Sequence, residues 1–399
     1  MDLRSGYPFW LLDQGIIRSY PSLAHHIHTD VVVMGAGISG ALAAWQLSKA
    51  GLDTVVVDKR HVGMGSTAAS TALLQYEIDT PLTELSRMVG ERAAARSYLL
   101  CLQSISDLEK ICQRFPEAGF TRRPSLQYAS FKKDVKGLEA EFHARKKIGI
   151  HLQWLDAAAL KKKFGFEKDA AILSRDAAEV KAYSLTHALL DPAGRKGMRV
   201  YDHTAIRSFH EHRRGVELLT GDGKKITAKW LVIACGYESG AYIRQKVERI
   251  HSTYAIVSEP FEAAKFWHRN ALIWETASPY LYLRTTPDHR ILIGGKDDDF
   301  SDPRLRDRAL PAKARALEAA FKKLFPALNF RTDFKWAGAF ASTKDGLPYI
   351  GSVPGRPRTF FALGFGGNGI TFSMMAANII KNCITGKKDP DAKLFGFGR

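Results

Sequence analysis

Cysteine is scarce in this chain. The four thiols, Cys101, Cys112, Cys235 and Cys383, are scattered through 399 residues without a CxxC pair. That spacing supports neither a disulfide framework nor a zinc site, and it suits a reducing compartment. An apolar leader is also lacking. Asp2, Arg4, Asp13 and Arg18 break residues 1–29 into short apolar pieces, so no signal-peptide core can be drawn and a cytoplasmic location is expected. Two charge-free runs, residues 31–48 and 359–380, do reach membrane-spanning length. Several glycines interrupt both, and Asn368 and Asn378 interrupt the second, so no transmembrane segment is expected. Repeats are absent, and 45 % hydrophobic with 25 % charged residues is ordinary for a folded chain.

Acidic side chains are outnumbered, 41 against 58 basic, leaving a net charge of +17. Such an excess can attract nucleic acid, anionic membrane or anionic substrates. The basic residues are spread through 132–136, 145–147, 161–163 and 304–308 with no single block. A solvated basic surface is the reading adopted, and nucleic acid is a less favoured partner. His25, His26 and His28 have no partner cluster in the sequence, so they read as structural or exposed, and no metal site is expected.

What is present begins with "DVVVMGAGISG", Asp30 to Gly40, running into "ALAAWQLSKAGLDTVVVDK". Asp30 to Met34 has the β-branching of a buried parallel strand, Ile38 to Ala50 reads as a helix packed on it, and Thr54 to Val57 as a second strand. Gly35 permits the tight turn, Gly37 lets backbone approach a pyrophosphate, and Gly40 lets helix and strand pack closely. Phosphates are favoured at the helix N-terminus by its free N–H groups and dipole. Asp58 ends the second strand, placed to accept hydrogen bonds from ribose hydroxyls, and an acid there repels the 2′-phosphate of NADP. The small and hydroxyl residues from Gly63 to Thr71 then suit a backbone lying close to a pyrophosphate or flat ring. An NAD dehydrogenase would continue with its next sheet unit, so flavin is favoured.

A second strand–turn–helix pattern closes the chain: Thr359 to Leu363, the glycine-rich Gly364 to Gly369, and Ile370 to Asn382. Its helix N-terminus can face an anion, and reduced flavin carries negative charge around N1 and the C2 oxygen. One ligand cradled by both patterns requires the two ends of the chain to meet. Between them, Leu82 to Phe115 reads as one long helix with an apolar stripe. Cys101 and Cys112 lie on it as core thiols.

The set GAGISG, Asp58, GSTAAS, "KWLVIACGYES" and "STKDGLPYIG" with "GFGGNGI" resembles the FAD-dependent amino-acid and amine oxidoreductases, a family that includes D-amino-acid oxidase, glycine oxidase, sarcosine oxidase and γ-glutamylputrescine oxidase. The resemblance covers Asp30 to Ile384. It implies an α/β plus α+β architecture, with a discontinuous Rossmann-like FAD-binding domain (1–90, 155–245 and 335–399) and an antiparallel-sheet substrate domain (91–154 and 246–334). Carried over by position, Gly35, Gly37, Gly40, Asp58, Gly65, Ser66, Thr67, Ile206, Gly236, Asp345, Gly346, Gly367, Asn368 and Gly369 contact FAD. Neighbouring Ile38, Ser39, Lys59, Ala68, Ser70, Leu74, Gly366 and Ile370 complete that set. Some members bind flavin through a cysteine just before the segment matching STKDGLP. Trp336 to Ser342 contains none, so the resemblance implies non-covalent FAD.

For the substrate, "SPYLYLRTTPDHRILIGGKDDDF" is the informative segment. If Tyr280 to Arg284 is a strand, alternation puts Tyr280, Tyr282 and Arg284 on one face. A turn at Thr286–His289 then returns the chain as Arg290 to Gly294. Two phenols and a guanidinium suit a planar carboxylate. Arg284, Tyr282 and Lys344, the last as a charge near the isoalloxazine, are the candidate catalytic residues. Lys296 and Asp297–Asp299 read as a solvated loop. The expected reaction moves a hydride from the C–H beside nitrogen of a small amine or amino acid to flavin N5, with oxygen or another acceptor taking the electrons. Three alternatives stay open: oxidation of a 2-hydroxy acid or polyol, oxidation of a modified tRNA base, and a flavin-loaded interaction protein without enzymatic activity.

Overall fold

The computed structural model describes residues 1–191, 197–262 and 266–399. The β-branched run at the first glycine motif becomes the strand Ile27–Met34, followed by the helix Ile38–Lys49 and the strand Thr54–Val57. Ile27–Met34 lies in the middle of an eight-stranded sheet. Lys225–Ile233 pairs with it on one side and Thr54–Val57 on the other, both parallel, and Arg356–Leu363 and Met198–Tyr201 extend the parallel set outward. Val31, Val32 and Val33 are fully buried because layers cover both faces of this sheet. The helix Gly369–Ile384 covers one face beside Ile38–Lys49. Ser39 Oγ and Ser373 Oγ are hydrogen-bonded at 2.7 Å between the two helices. The first and last segments of the chain therefore do meet.

The second sheet has ten strands and is antiparallel apart from the pairing of Leu272–Glu275 with Thr121–Tyr128. Its middle is built from Thr332–Thr343, Glu248–Ser258, Ile291–Asp298 and Tyr282–Thr285. The helix Pro303–Leu324 packs on this sheet through Leu310, Leu317 and Phe321.

The segment expected as one helix from Leu82 to Phe115 is two, Leu82–Val89 and Glu91–Cys112. They part at Gly90, whose φ of 89° no helix can hold. The expected domain segments also differ from the sheets. Ala170–Glu179, within the segment 155–245 expected in the FAD-binding domain, joins the antiparallel sheet rather than the parallel one. The helix Glu91–Cys112 buries Cys101, Ile105 and Leu108 in the same core as Ile38–Lys49. Residues 359–380 form a buried strand and helix of the parallel layer, and among the described residues no helix is long and apolar enough to cross a membrane.

Candidate functional site

A single elongated cavity runs from the glycine motif at the parallel sheet to the antiparallel sheet. At its first end the strand–helix turn is fixed by local hydrogen bonds. Gly35 N donates to Val57 O at 2.8 Å, Ala36 N to Asp58 Oδ2 at 2.7 Å, and Arg60 N to Asp58 Oδ1 at 2.8 Å. Burial raises the Asp58 carboxyl, and the hydrogen bonds from Ala36 and Arg60 oppose that rise. Asp58 thus shapes the loop as well as lining it. Beside it, Lys59 and Arg60 each donate to Glu238 at 2.8 Å. Burial acts to raise Glu238, but its cationic partners prevail and bring it down to about 2.

Gly35, Gly37, Ile38, Ser39, Asp58 and Lys59 line this end, as do Ile206 and Gly236 from the returning strands. Gly65, Ser66, Thr67 and Ser70 form the next wall. Thr67 Oγ1 accepts from Ile38 N at 2.9 Å, which ties this loop to the helix start. Ser66 Oγ is buried without a partner, an exception among buried hydroxyls. From the far end of the chain come Gly366, Gly367, Gly369 and Ile370. An orphaned hydroxyl, a glycine-spaced helix start and a second glycine turn fit a dinucleotide with a flat ring. Replacing Asp58 with alanine removes two charge-assisted hydrogen bonds, each worth about 1.5–3 kcal/mol. FAD affinity is expected to fall at least about tenfold, measured by titrating apoprotein with FAD.

Several expected contacts lie elsewhere. Gly40 is behind the turn, where a Cβ would stand 1.8 Å from Gly35 O. Ala68 and Leu74 are core residues, and Leu73 and Gln75 face the cavity in place of Leu74. Asn368 Nδ2 donates to Gln75 O at 3.1 Å and Glu77 O at 2.8 Å, clamping that segment. Asp345 is paired with Arg399 Nε at 2.8 Å, and Gly346 packs on Thr80. Lys344, next to Asp345, is exposed and outside the cavity lining.

At the antiparallel end, Thr253, Tyr254, Tyr280, Tyr282, Trp336 and Phe340 supply the walls. Tyr282 crosses over Gly294, its partner on the adjoining strand, where a Cβ would meet the phenol at 2.3 Å. Tyr280 stands 5.9 Å from it, ring to ring, and donates its hydroxyl to Asp79 Oδ1 at 2.9 Å. Asp79 Oδ2 accepts from Gly367 N at 2.8 Å, joining the glycine turn to the aromatic wall. Burial and Asp297 raise the Tyr282 phenol to about 12.

Arg284 does not share this site. It is fully buried beneath it, its Nη1 donating to Thr71 O at 3.2 Å and Ala72 O at 3.1 Å, with Glu179 at 3.3 Å and the Trp10 ring at 5.4 Å. Asp297, taken from the sequence as loop, does line the cavity. The signal for it was the bulge-prone Gly-Gly-Lys-Asp run, which alternation alone does not decode. Among the described residues one group has metal-ligand atoms close together, His61, Asp202 and His203, where Asp202 is hydrogen-bonded to Nδ1 of both rings at 3.0 and 2.9 Å.

Comparison with known proteins agrees with this geometry. The family described as FAD dependent oxidoreductase matches residues 30–382. γ-Glutamylputrescine oxidoreductase of Escherichia coli K12 is 23 % identical over 386 residues, covering 92 % of this chain and 86 % of that protein. Glycine oxidase of Bacillus licheniformis is 26 % identical over 370 residues, covering 90 % and 93 %. The crystal structure of glycine oxidase from Geobacillus kaustophilus superposes with a TM-score of 0.76 at 20 % identity, covering 92 % and 96 %. This chain belongs to the FAD-dependent oxidoreductase family that contains D-amino-acid oxidase, and its cofactor is FAD.

Proposed function

We propose that the protein oxidises a small amine or amino acid at the C–H beside its nitrogen, with oxygen or another acceptor drawing off the electrons. Bound in the cavity, FAD supplies the hydride acceptor, and the imine product hydrolyses to a carbonyl compound. The observation that carries this reading is the continuity of the cavity, from the glycine turn that suits a dinucleotide to a wall of phenols and rings. Tyr280 and Tyr282 orient the substrate, and Asp79 holds Tyr280 and the Gly367 N–H in one arrangement. An amine entering unprotonated needs no protein base.

The cofactor is held without a covalent bond. The stretch Trp336–Ser342 has no cysteine, and Cys235, which does line the cavity, donates its thiol to Met34 O at 3.3 Å. Burial pushes that thiol up to about 12, away from reactive thiolate. Acid precipitation is therefore expected to release all the flavin. The same reading divides the chain into an FAD-binding part on the parallel sheet and a substrate part on the antiparallel one.

The test is product analysis. One carbonyl compound should form per acceptor reduced, with hydrogen peroxide in air if oxygen serves and only with an added acceptor if it does not. Turnover confined to 2-hydroxy acids or polyols would contradict the proposal.

A further inference from the structure

We propose that the antiparallel end of the cavity selects an amine that carries a second, protonated nitrogen and needs no carboxylate, and that Asp297 anchors this ammonium group while the reacting nitrogen stays neutral. This rests on the amine-oxidising reading above and narrows it. Among the described residues the cationic side chains lining the cavity are Lys59 and Arg60, and both are bound to Glu238 at the nucleotide end. At the other end the charged lining side chain is Asp297. Arg284, the guanidinium nearest this wall in sequence, is engaged by backbone carbonyls and Glu179.

The strand geometry aims Asp297 inward. Pairing between Glu248–Ser258 and Ile291–Asp298 slips between Ser252 and Tyr254, and Lys296 takes a φ of 59°. Asp298 then turns to the Tyr254 hydroxyl at 2.8 Å and to Lys313 Nζ, while Asp297 is left with Oδ1 buried and unpartnered. A buried carboxylate oxygen without a donor is a vacant acceptor. Near it, Tyr280 donates its hydroxyl to Asp79, and the hydroxyls of Thr71 and Thr253 approach the Tyr282 oxygen. The rings of Trp274, Tyr280 and Tyr282 follow one another at 5.9 Å spacings. Ring faces attract ammonium groups. Among the described residues lining this end, a substrate carboxylate would meet the Asp297 carboxylate and no cationic side chain.

Burial pushes Asp297 up to about 6 and Asp79 adds to the rise, while Thr253 and Lys313 oppose it and Asp298 adds a smaller upward push. Ammonium binding should therefore weaken as pH falls through about 6. A raised folded-state value also means that ionisation of Asp297 disfavours the fold. Its contribution to stability declines as pH rises from the unfolded value towards about 6. Asp297→Asn should accordingly raise the thermal midpoint more at pH 8 than at pH 4.

The deciding experiment titrates FAD-loaded protein with tert-butylammonium, which has N–H donors but no C–H beside nitrogen, and separately with benzoate, following the flavin spectrum. The cation should perturb the spectrum and bind at least tenfold tighter than benzoate. Asp297→Asn should weaken it tenfold or more, and Asp297→Glu should restore most of that loss. Benzoate binding as tightly as the cation, or less than a threefold change in Asp297→Asn, overturns the inference. Neither titration requires turnover. If cation binding behaves as expected while no amine reduces the flavin, the reaction proposed above is what fails.

Discussion

Gly40→Ala is expected to yield a protein that cannot hold FAD and that is destabilised beyond about 4 kcal/mol, the exceptional end of single substitutions. The added methyl would stand 1.8 Å from Gly35 O and 2.9 Å from its carbon, both backbone atoms. Gly35 cannot retreat. Its own Cβ position lies 2.4 Å from Ala234 O, and its φ is 108°. Helix and strand must then separate, and with them the turn that carries Ala36, Gly37 and Ile38. Gly137→Ala, in the helix Val135–Lys147, is the control, because nothing lies within 4 Å of its added methyl and it is outside the cavity lining. Urea midpoints and the flavin-to-protein absorbance ratio of the two variants decide the matter. Equal flavin content in both would contradict the close-packing account.

Arg284→Leu should lower stability by about 3–5 kcal/mol, the range for removing one partner of a buried ion pair. The lower part of that range is favoured because Glu179 keeps Arg123 at 2.8 Å. The loss has a second source in the carbonyls of Thr71 and Ala72. Ala72 sits at a φ of 56°, a left-handed conformation that a non-glycine residue holds only when its surroundings enforce it. Trp10 Nε1 donates to Ser70 O at 2.7 Å and supports the same loop. Ser70, Thr71 and Ala72 line the cavity, so FAD affinity should fall together with the urea midpoint. Preference between amines and amino acids should stay as in the parent protein. A stable, fully flavinated variant that lost only carboxylate-bearing substrates would make Arg284 a substrate residue after all.

Strand alternation groups Tyr280 and Tyr282 on one face, and both side chains line the cavity, although the strand itself begins at Tyr282. It could not say what stands opposite each position. Trp10, Thr71 and Glu179, remote in the chain, enclose Arg284, and a register slip against Ser252–Tyr254 turns Asp297 inward. Asp345 lies outside the cavity lining and pairs with Arg399, 54 residues further on, a partner that local sequence does not reveal. The strand–turn–helix motifs at both ends were legible because glycine spacing and β-branched runs specify them locally. The break at Gly90 was missed because the apolar stripe continues across it.

Anaerobic photometric titration of the bound flavin tests the central claim most directly. Amines, amino acids and 2-hydroxy acids are added in turn, and air is then admitted. Bleaching of the visible absorbance by an amine, with a carbonyl product formed in equal amount, is the predicted result. Rapid recovery in air marks an oxidase, and slow recovery a dehydrogenase with another acceptor. Bleaching by hydroxy acids alone, or by no compound of the panel, would contradict the account.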